Sequence, residues 1–337
     1  MQEVIEKQKE EINNELERQF SIFLENSEGL QKEMIKDIRE FTLRGGKRIR
    51  GMLVINGYKA YGGKGKITEV AAAVELLQSF LLIHDDIIDR DELRRGKPTL
   101  HKIYQERYGK PGKDLAIIAG DMACSMGQKI ILDANLADDK KNLALKIFNQ
   151  TIMEACHGES LDILAAYKKS ASEEEIAKIH KLKTAIYTFE APLKLGGVLA
   201  GENNLEGLSK FAILMGEAYQ IRDDIIGVFG DEKKTGKPIG GDIKEGKKTL
   251  LILKAMQNAS IEEKEFLDSV LGNSDLKEDD VARARDIIIG TSALEYSEKK
   301  SQNLLDEARD LLGGLEISDK SREFLQGLID YLENRSK

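Results

Sequence analysis

The chain of 337 residues carries 51 basic and 59 acidic side chains, a formal net charge of −8, and only four prolines. Charges this evenly mixed leave no basic stripe for nucleic acid, and long runs of Ala, Leu, Ile, Glu and Lys without breakers predict an all-α protein. Cys124 and Cys156 lie in helical patterns and read as small buried hydrophobes, while His84, His101, His157 and His180 lack zinc spacing, so any bound metal is expected on oxygen.

The first stretch, MQEVIEKQKEEINNELERQF, is charged and amphipathic with no apolar signal core, and no run of eighteen apolar residues follows. The expectation is a cytoplasmic protein without stable membrane insertion. Helices are predicted over 2–26, 29–43, 47–61, 67–90, 113–136, 139–166, 173–200, 204–229, 247–257, 261–271, 278–313 and 318–334. The joints fall at Asn26-Ser27, Gly45-Gly46, Gly62-Gly63, Pro98, Pro111-Gly112, 201–204 and the Gly-rich 230–246. None is long enough for an interdomain linker, so one domain over 1–337 is expected. Pro192 interrupts HKLKTAIYTFEAPLKLGG and predicts a kink between Ile186 and Pro192.

An internal echo carries the chemistry. LLIHDDIID (81–89) and YQIRDDIIG (219–227) share an apolar lead, Asp-Asp and Ile-Ile, each at the end of an apolar helix. A single acidic helix end is usually just solvated; two copies behind apolar runs are harder to explain that way. At about 100° per residue, Asp85 and Asp89 are about 40° apart on the helix and one turn along it, so both leave one face. Like charges at that spacing repel, and a hard divalent cation such as Mg²⁺ suits an all-oxygen set. Mg²⁺ commonly completes its shell with substrate phosphate. Cationic clusters stand ready for such a substrate: Arg94-Arg95-Gly96-Lys97-Pro98, Thr235-Gly236-Lys237-Pro238, Gly246-Lys247-Lys248, and Arg44-Gly45-Gly46-Lys47-Arg48-Ile49-Arg50. The last opens a helix, where backbone N–H groups also favour anions.

The ordered set GGKRIR (45–50), DDIID (85–89) with LRRGKPT (93–99), KTA (183–185) and YQIRDDIIGVFGDEKKTGKPIGGDIKEGKKT (219–249) closely resembles the trans-isoprenyl diphosphate synthases, or polyprenyl synthetases. The resemblance implies a large helical domain of the isoprenoid synthase fold, its helices surrounding a deep central cavity with the two Asp-rich helices facing each other. It implies three Mg²⁺ ions, with Mn²⁺ as a substitute, bound by Asp85, Asp89 and Asp223; Asp86 and Asp224 match the second member of each pair. Arg94, Lys183 and Lys237 match residues that neutralise the diphosphate of an allylic substrate, dimethylallyl, geranyl or farnesyl diphosphate. Lys47, Arg50 and Arg95 match those that hold isopentenyl diphosphate, with Gln78 a neutral neighbour on the carboxylate face and Lys247 a further substrate-binding cation. Thr184 and Gln220 match oxygens near a developing allylic cation, and the departing diphosphate is the expected base for the last proton. A homodimer is the family norm.

One departure stands out. Gly227 occupies the place where many members carry the last Asp of the second motif, and Asp242 is a candidate to help through water. A class I terpene cyclase would share the acidic motifs but not GGKRIR and Arg95. A non-catalytic regulatory subunit would have lost site residues that are present here. For product length, Phe80 five places before the first motif, with an uninterrupted DDIID, resembles archaeal-type geranylgeranyl diphosphate synthases, making C20 the expected product and C15 the alternative. Helical arithmetic puts Phe80 about 140° from Asp85 and Leu81 about 40° away, so Leu81 is expected to face the growing chain more directly.

Overall fold

A computed structural model describes residues 2–168, 170–230, 240–273 and 275–334. The described residues are almost wholly helical, and their regular elements fall into two compact units. The first comprises the described parts of Met1–Gln150, Ala191–Leu205 and Ile317–Phe324; the second those of Thr151–Glu190, Glu206–Glu316 and Leu325–Lys337.

In the first unit run α1 (Gln2–Glu25), α2 (Gly29–Leu43), α3 (Ile49–Ala60) and α4 (Thr68–Ile88), then α5 (Leu100–Tyr108), α6 (Gly112–Asp133), the start of α7 (Asp138–Ala166) and α9 (Ala191–Ala200). Ile12, Leu16 and Phe20 recur at fourth positions along α1 and are fully buried, as an amphipathic stripe must be to hold a helix in a core. Helix α3 meets α9 at backbone contact distance: a Cβ on Gly57 would overlap the Leu193 carbonyl, and one on Gly196 would overlap that of Val54. Helix α6 is apolar enough over eighteen residues, with a mean hydropathy of 1.4, to resemble a membrane span. Its Ala116, Ala119 and Ala123 are instead fully buried, and its Gly127 admits the Ala73 carbonyl of α4.

Between α4 and α5, where the sequence placed a joint at Pro98, a two-stranded hairpin is found: Leu93–Arg94 (β1) pairs antiparallel with Lys97–Pro98 (β2). Arg95 and Gly96 at its tip both have left-handed backbone, φ +55° and +72°, the signature of a two-residue turn matched to strand twist. Helix α5 was likewise absent from the periodicity reading, being only nine residues long.

The second unit holds the end of α7, α8 (Glu173–His180), a π-helical segment (Lys181–Glu190), α10 (Glu206–Phe229), α11 (Gly241–Glu245), α12 (Leu250–Asn258), α13 (Ile261–Val270), α14 (Glu278–Gly290), α15 (Ala293–Gly314) and most of α16 (Asp319–Glu333). Before Pro192, where a kink was expected, the helix is π-helical over Lys181–Glu190, and Pro192 has no N–H to donate back into it. Two glycines let its backbone approach its neighbours. A Cβ on Gly158 of α7 would overlap the Lys183 backbone, and one on Gly216 of α10 would overlap Ala185. The single helix expected over 278–313 is broken: Ser292 has φ +58°, and the Thr291 hydroxyl donates back to the Ile287 carbonyl at 2.7 Å. Apolar periodicity runs on through Ile287, Ile288 and Ala293, which is why it hides the break.

Candidate active site

In the first unit the end of α4 presents its acidic motif in two directions. Asp85 and Asp89 are half-buried on the same face as Gln78 and Leu81, and one carboxylate oxygen from each lies within 4.8 Å of the other. Asp86, one residue on, is turned inward and only 1% exposed. Its Oδ1 accepts a very short hydrogen bond from Arg94 Nε, while Arg94 Nη2 reaches Asp85 at 3.2 Å and Asp91 at 3.3 Å. Burial, with the like charges of Asp85 and Asp91, pushes the Asp86 carboxyl up to about 7 against the pull of Arg94. Burial also opposes the charge of Arg94, but Asp86 and Asp85 outweigh it and hold the guanidinium above its ordinary range.

The hairpin is what aims these arginines. Arg94 on β1 turns to the motif, whereas Arg95 at the tip donates to the Gly45 carbonyl at 2.6 Å. Gly46 makes this possible, because a Cβ there would stand 2.9 Å from Arg95 Nη2. Burial, with Arg48 and Arg94 nearby, lowers the Arg95 guanidinium to about 10. Arg44 donates to the Pro98 carbonyl at 2.8 Å and pairs with Glu40, which also binds Lys97 at 2.7 Å, tying the hairpin to α2.

The GGKRIR loop carries an internal ion pair at the start of α3. The anion at the start of α3 is the protein's own Glu75, 1% exposed, which accepts from Gly51 N at 2.9 Å and pairs with Arg48 at 3.5 Å. Arg48 also donates to the Thr42 carbonyl and to Asn13, so it is a structural cation. Of the predicted pair, Lys47 is exposed and Arg50 buried.

Phe80 is 8% exposed and packs edge-on to His84 with 4.9 Å between ring centres. His84 Nε2 lies 3.0 Å from the Ile117 carbonyl, and a Cβ on Gly120 would overlap the ring. The Phe80–His84 pair therefore sits against α6, while Leu81 shares the carboxylate face as the helical arithmetic expects.

In the second unit the same division recurs. Asp223 on α10 is half-buried, and Asp224 is turned inward at 5% exposure. Asp224 Oδ1 accepts from Gln220 at 2.7 Å, Gln220 in turn accepts a very short hydrogen bond from the Thr184 hydroxyl, and His180 Nε2 lies 3.1 Å from Asp224 Oδ2. Thr184 and Gln220, matched together in the sequence, are joined in one chain of hydrogen bonds. His180, noted in the sequence only as lacking zinc spacing, was missed: it lies 44 positions from Asp224 in sequence but against it in the fold. Lys183, also predicted, is gripped by Glu159 at 2.8 Å and Asp162 at 2.6 Å. Lys247 pairs with Glu245 at 2.5 Å. Lys237 lies outside the described residues.

In the first unit, two half-buried carboxylates one turn apart, beside an inward carboxylate that holds an arginine, form a set suited to a hard divalent ion and a phosphate ester. The sequence matches the polyprenyl synthetase family over residues 31–288. The chain belongs to that family. It is similar to the geranylfarnesyl diphosphate synthase of Aeropyrum pernix, 35% identical over 307 residues covering 87% of this chain and 91% of that one. It is 36% identical over 284 residues to the geranylgeranyl diphosphate synthase of Saccharolobus solfataricus, covering 83% of each. Its fold is similar to the crystal structure of geranylgeranyl pyrophosphate synthase from Corynebacterium glutamicum complexed with isoprenyl diphosphate and magnesium, with a TM-score of 0.93, 30% identity, and 98% and 99% of the two chains covered. The protein has the all-α isoprenoid synthase fold and is a prenyltransferase of the short-chain trans-prenyl diphosphate synthase type.

The buried Asp86–Arg94 pair yields a prediction about stability. In metal-free buffer, Arg94→Met removes the cation that Asp86 holds, so the buried carboxyl must stay charged without a partner or take up a proton, and is expected to lower the unfolding free energy by about 3 kcal/mol. Urea unfolding of Arg94→Met, Asp86→Asn and the double variant checks this. The double variant is expected to lose less than the sum of the singles by about 1–3 kcal/mol, and strict additivity would show that the two side chains are not coupled.

Proposed function

We propose that this enzyme condenses isopentenyl diphosphate head-to-tail with allylic diphosphates and that its main product is geranylgeranyl diphosphate. The observation that carries the reading is the outward pair Asp85 and Asp89, two oxygen donors one turn apart, which fit a hard divalent ion. Mg²⁺ held there, and by Asp223 in the second unit, would supply neutralisation of the charge that grows on a leaving diphosphate. Three ions per site, and Mn²⁺ as a working substitute, belong to the same reading.

The side chains do the rest. Arg94 in the first unit, and Lys183 and Lys237 in the second, are assigned to the allylic diphosphate; Lys47, Arg50 and Arg95 to that of isopentenyl diphosphate, with Gln78 beside them and Lys247 as a further phosphate cation. As the allylic C–O bond breaks, the double bond of the second substrate attacks, a C–C bond forms, and a proton leaves to the departed diphosphate. Thr184 and Gln220 offer oxygen to the allylic cation, and Asp224 orients Gln220 so that this oxygen is presented and not the amide nitrogen. Asp86 orients Arg94 in the same manner.

The chain length reading rests on α4. Leu81 lies on the carboxylate face one turn before Asp85, and Phe80 packs behind it against His84. We assign both to the floor beneath the growing chain, Leu81 by facing it and Phe80 by fixing the wall. The C15 product is the alternative. The family match crosses both units, which supports reading 1–337 as one isoprenoid synthase domain. A homodimer is supported by side chains left in solvent: Ile117 and Ile118 of α6 at 40% and 52% exposure, and Met153 and Leu164 of α7 with the adjoining Tyr167 at 66%, 61% and 86%. A cytoplasmic location, free of membrane insertion, is consistent with the packed Ala and Gly faces of α6.

At saturating Mg²⁺, Asp85→Ala and Asp223→Ala are each expected to lower incorporation of labelled isopentenyl diphosphate by about 10³-fold or more; near-normal turnover in both would remove the metal reading. Mass spectrometry of products is expected to show C20 from the wild type, longer chains from Phe80→Ser and a shift towards C15 from Leu81→Phe. The same distribution in all three proteins would place the floor elsewhere. Leu164→Glu combined with Tyr167→Glu is expected to yield monomers in sedimentation velocity, where an unchanged species would show that this face does not join subunits.

A further inference from the structure

In the second unit two polar side chains from one element face two from another. His180 closes α8, and Thr184 follows one turn later in the π segment; both are buried. Gln220 and Asp224 are one turn apart on α10 and leave it on one side. The two pairs meet in opposite order along the chain: the Thr184 hydroxyl donates a very short hydrogen bond to Gln220 Oε1, and His180 Nε2 stands 3.1 Å from Asp224 Oδ2. Along α10 the arrangement is closed by Gln220 Nε2, which donates to Asp224 Oδ1 at 2.7 Å. Gly216, one turn before Gln220, sets the spacing, because a Cβ there would overlap Ala185, the neighbour of Thr184. We propose that His180 is a positioning residue for prenyl transfer: by holding Asp224 it fixes the amide of Gln220, and with it the oxygen that Gln220 and Thr184 offer to the allylic cation. The proposal deepens the prenyl transfer reading above and rests on it.

An amide can turn over at little steric cost, since its oxygen and its nitrogen have nearly the same shape. In one orientation Gln220 offers an oxygen; in the other it offers N–H groups, which a developing cation repels. An ionised carboxylate only accepts, so Asp224 Oδ1 keeps the Nε2 side of the amide and leaves Oε1 to Thr184. Asp224 can do this only while it is itself held. It is 5% exposed, and its Oδ2 is buried without an aligned hydrogen-bond donor. The ring nitrogen of His180 is the polar atom that the fold places against that oxygen. Hydrogen bonds of catalytic sites are often poorly aligned in the free enzyme and tighten around substrate, and at 3.1 Å a tilt of the ring is enough to align this one. Glu217, two turns before Asp224 on the same side of α10, feels the same ring: burial raises its carboxyl, and His180, Lys181 and Lys300 draw it back down. His180 thus acts on two carboxylates of the face of α10 that carries Gln220.

Steady-state kinetics of the full chain with isopentenyl diphosphate and each allylic diphosphate, together with melting temperatures, test the assignment. His180→Leu, which keeps the bulk and removes the N–H, is expected to lower kcat about tenfold with KM for isopentenyl diphosphate unchanged. His180→Gln, whose amide N–H can take the place of Nε2, is expected to bring kcat back to within about twofold of the wild type, whereas His180→Asn, the same amide one bond shorter, is not. In a Gln220→Met background no amide remains to be oriented, and there His180→Leu is expected to change kcat no further. Wild-type kcat in folded His180→Leu, equal kcat in the Gln and Asn variants, or the same fold loss with and without Gln220 overturns the assignment, the last by marking His180 as a packing residue. Should His180→Leu not fold at the assay temperature, the Gln and Asn variants decide. If the wild type itself makes no prenyl diphosphate, the function proposed above fails and takes this inference with it; an active wild type with any of the three overturning results fails this inference alone.

Discussion

Carboxylates one helical turn apart keep their places only while positive charge stands against them, and much of the first unit is arranged to meet that demand. Arg94 contacts Asp85, Asp86 and Asp91 at once. It reaches them because a two-residue turn folds the chain back directly after α4, and that turn needs left-handed backbone at Arg95 and Gly96. The hairpin is held in turn by Arg44 on the Pro98 carbonyl and by Glu40 on Lys97. Remove the turn, and the acidic end of α4 loses the guanidinium that balances it.

Each Asp-Asp pair divides its work by depth. The first member, Asp85 or Asp223, is half-buried, while the second, Asp86 or Asp224, is turned into the fold. An inward carboxylate cannot be reached easily by a hydrated ion, but it can fix a donor: Asp86 fixes Arg94, and Asp224 fixes Gln220 with His180 at its other oxygen. Adjacent residues on a helix point about 100° apart, so a DD dipeptide at the edge of a core places one carboxylate out and one in. This supplies a physical reason for pairs where single ligands would suffice to hold a metal.

Glycine sets the distances in the second unit. Gly158 and Gly216 bring α7 and α10 against the π segment, which carries Lys183 and Thr184. The wide turns of that segment answer Pro192, which cannot donate to the carbonyl four residues back. A local defect in helical regularity thereby falls at Lys183 and Thr184, two side chains proposed to act on the substrate; π-bulges are frequent at functional sites. Lys183 meets Glu159 and Asp162, and Thr184 meets Gln220, on side chains that leave this one segment.

The all-α class, most helix spans, an irregularity before Pro192 and the repeated acidic motif were legible in the sequence because they depend on local periodicity and on residue type at short spacing. The same locality concealed the break at Thr291-Ser292, the nine-residue α5 and the hairpin, since the apolar pattern runs through the first and is too short to register in the others. Predicted site residues such as Arg94, Thr184 and Gln220 were identified by motif, but their partners were not. Which carboxylate turns inward, that Glu75 caps α3, that His180 stands beside Asp224, and that Asp242 fills the space left by Gly227 are matters of packing between segments far apart in the chain. Sequence spacing determines which side chains share a helix face; only the folded backbone decides what meets that face, because contact between distant segments is set by the closest approach that glycine and burial permit.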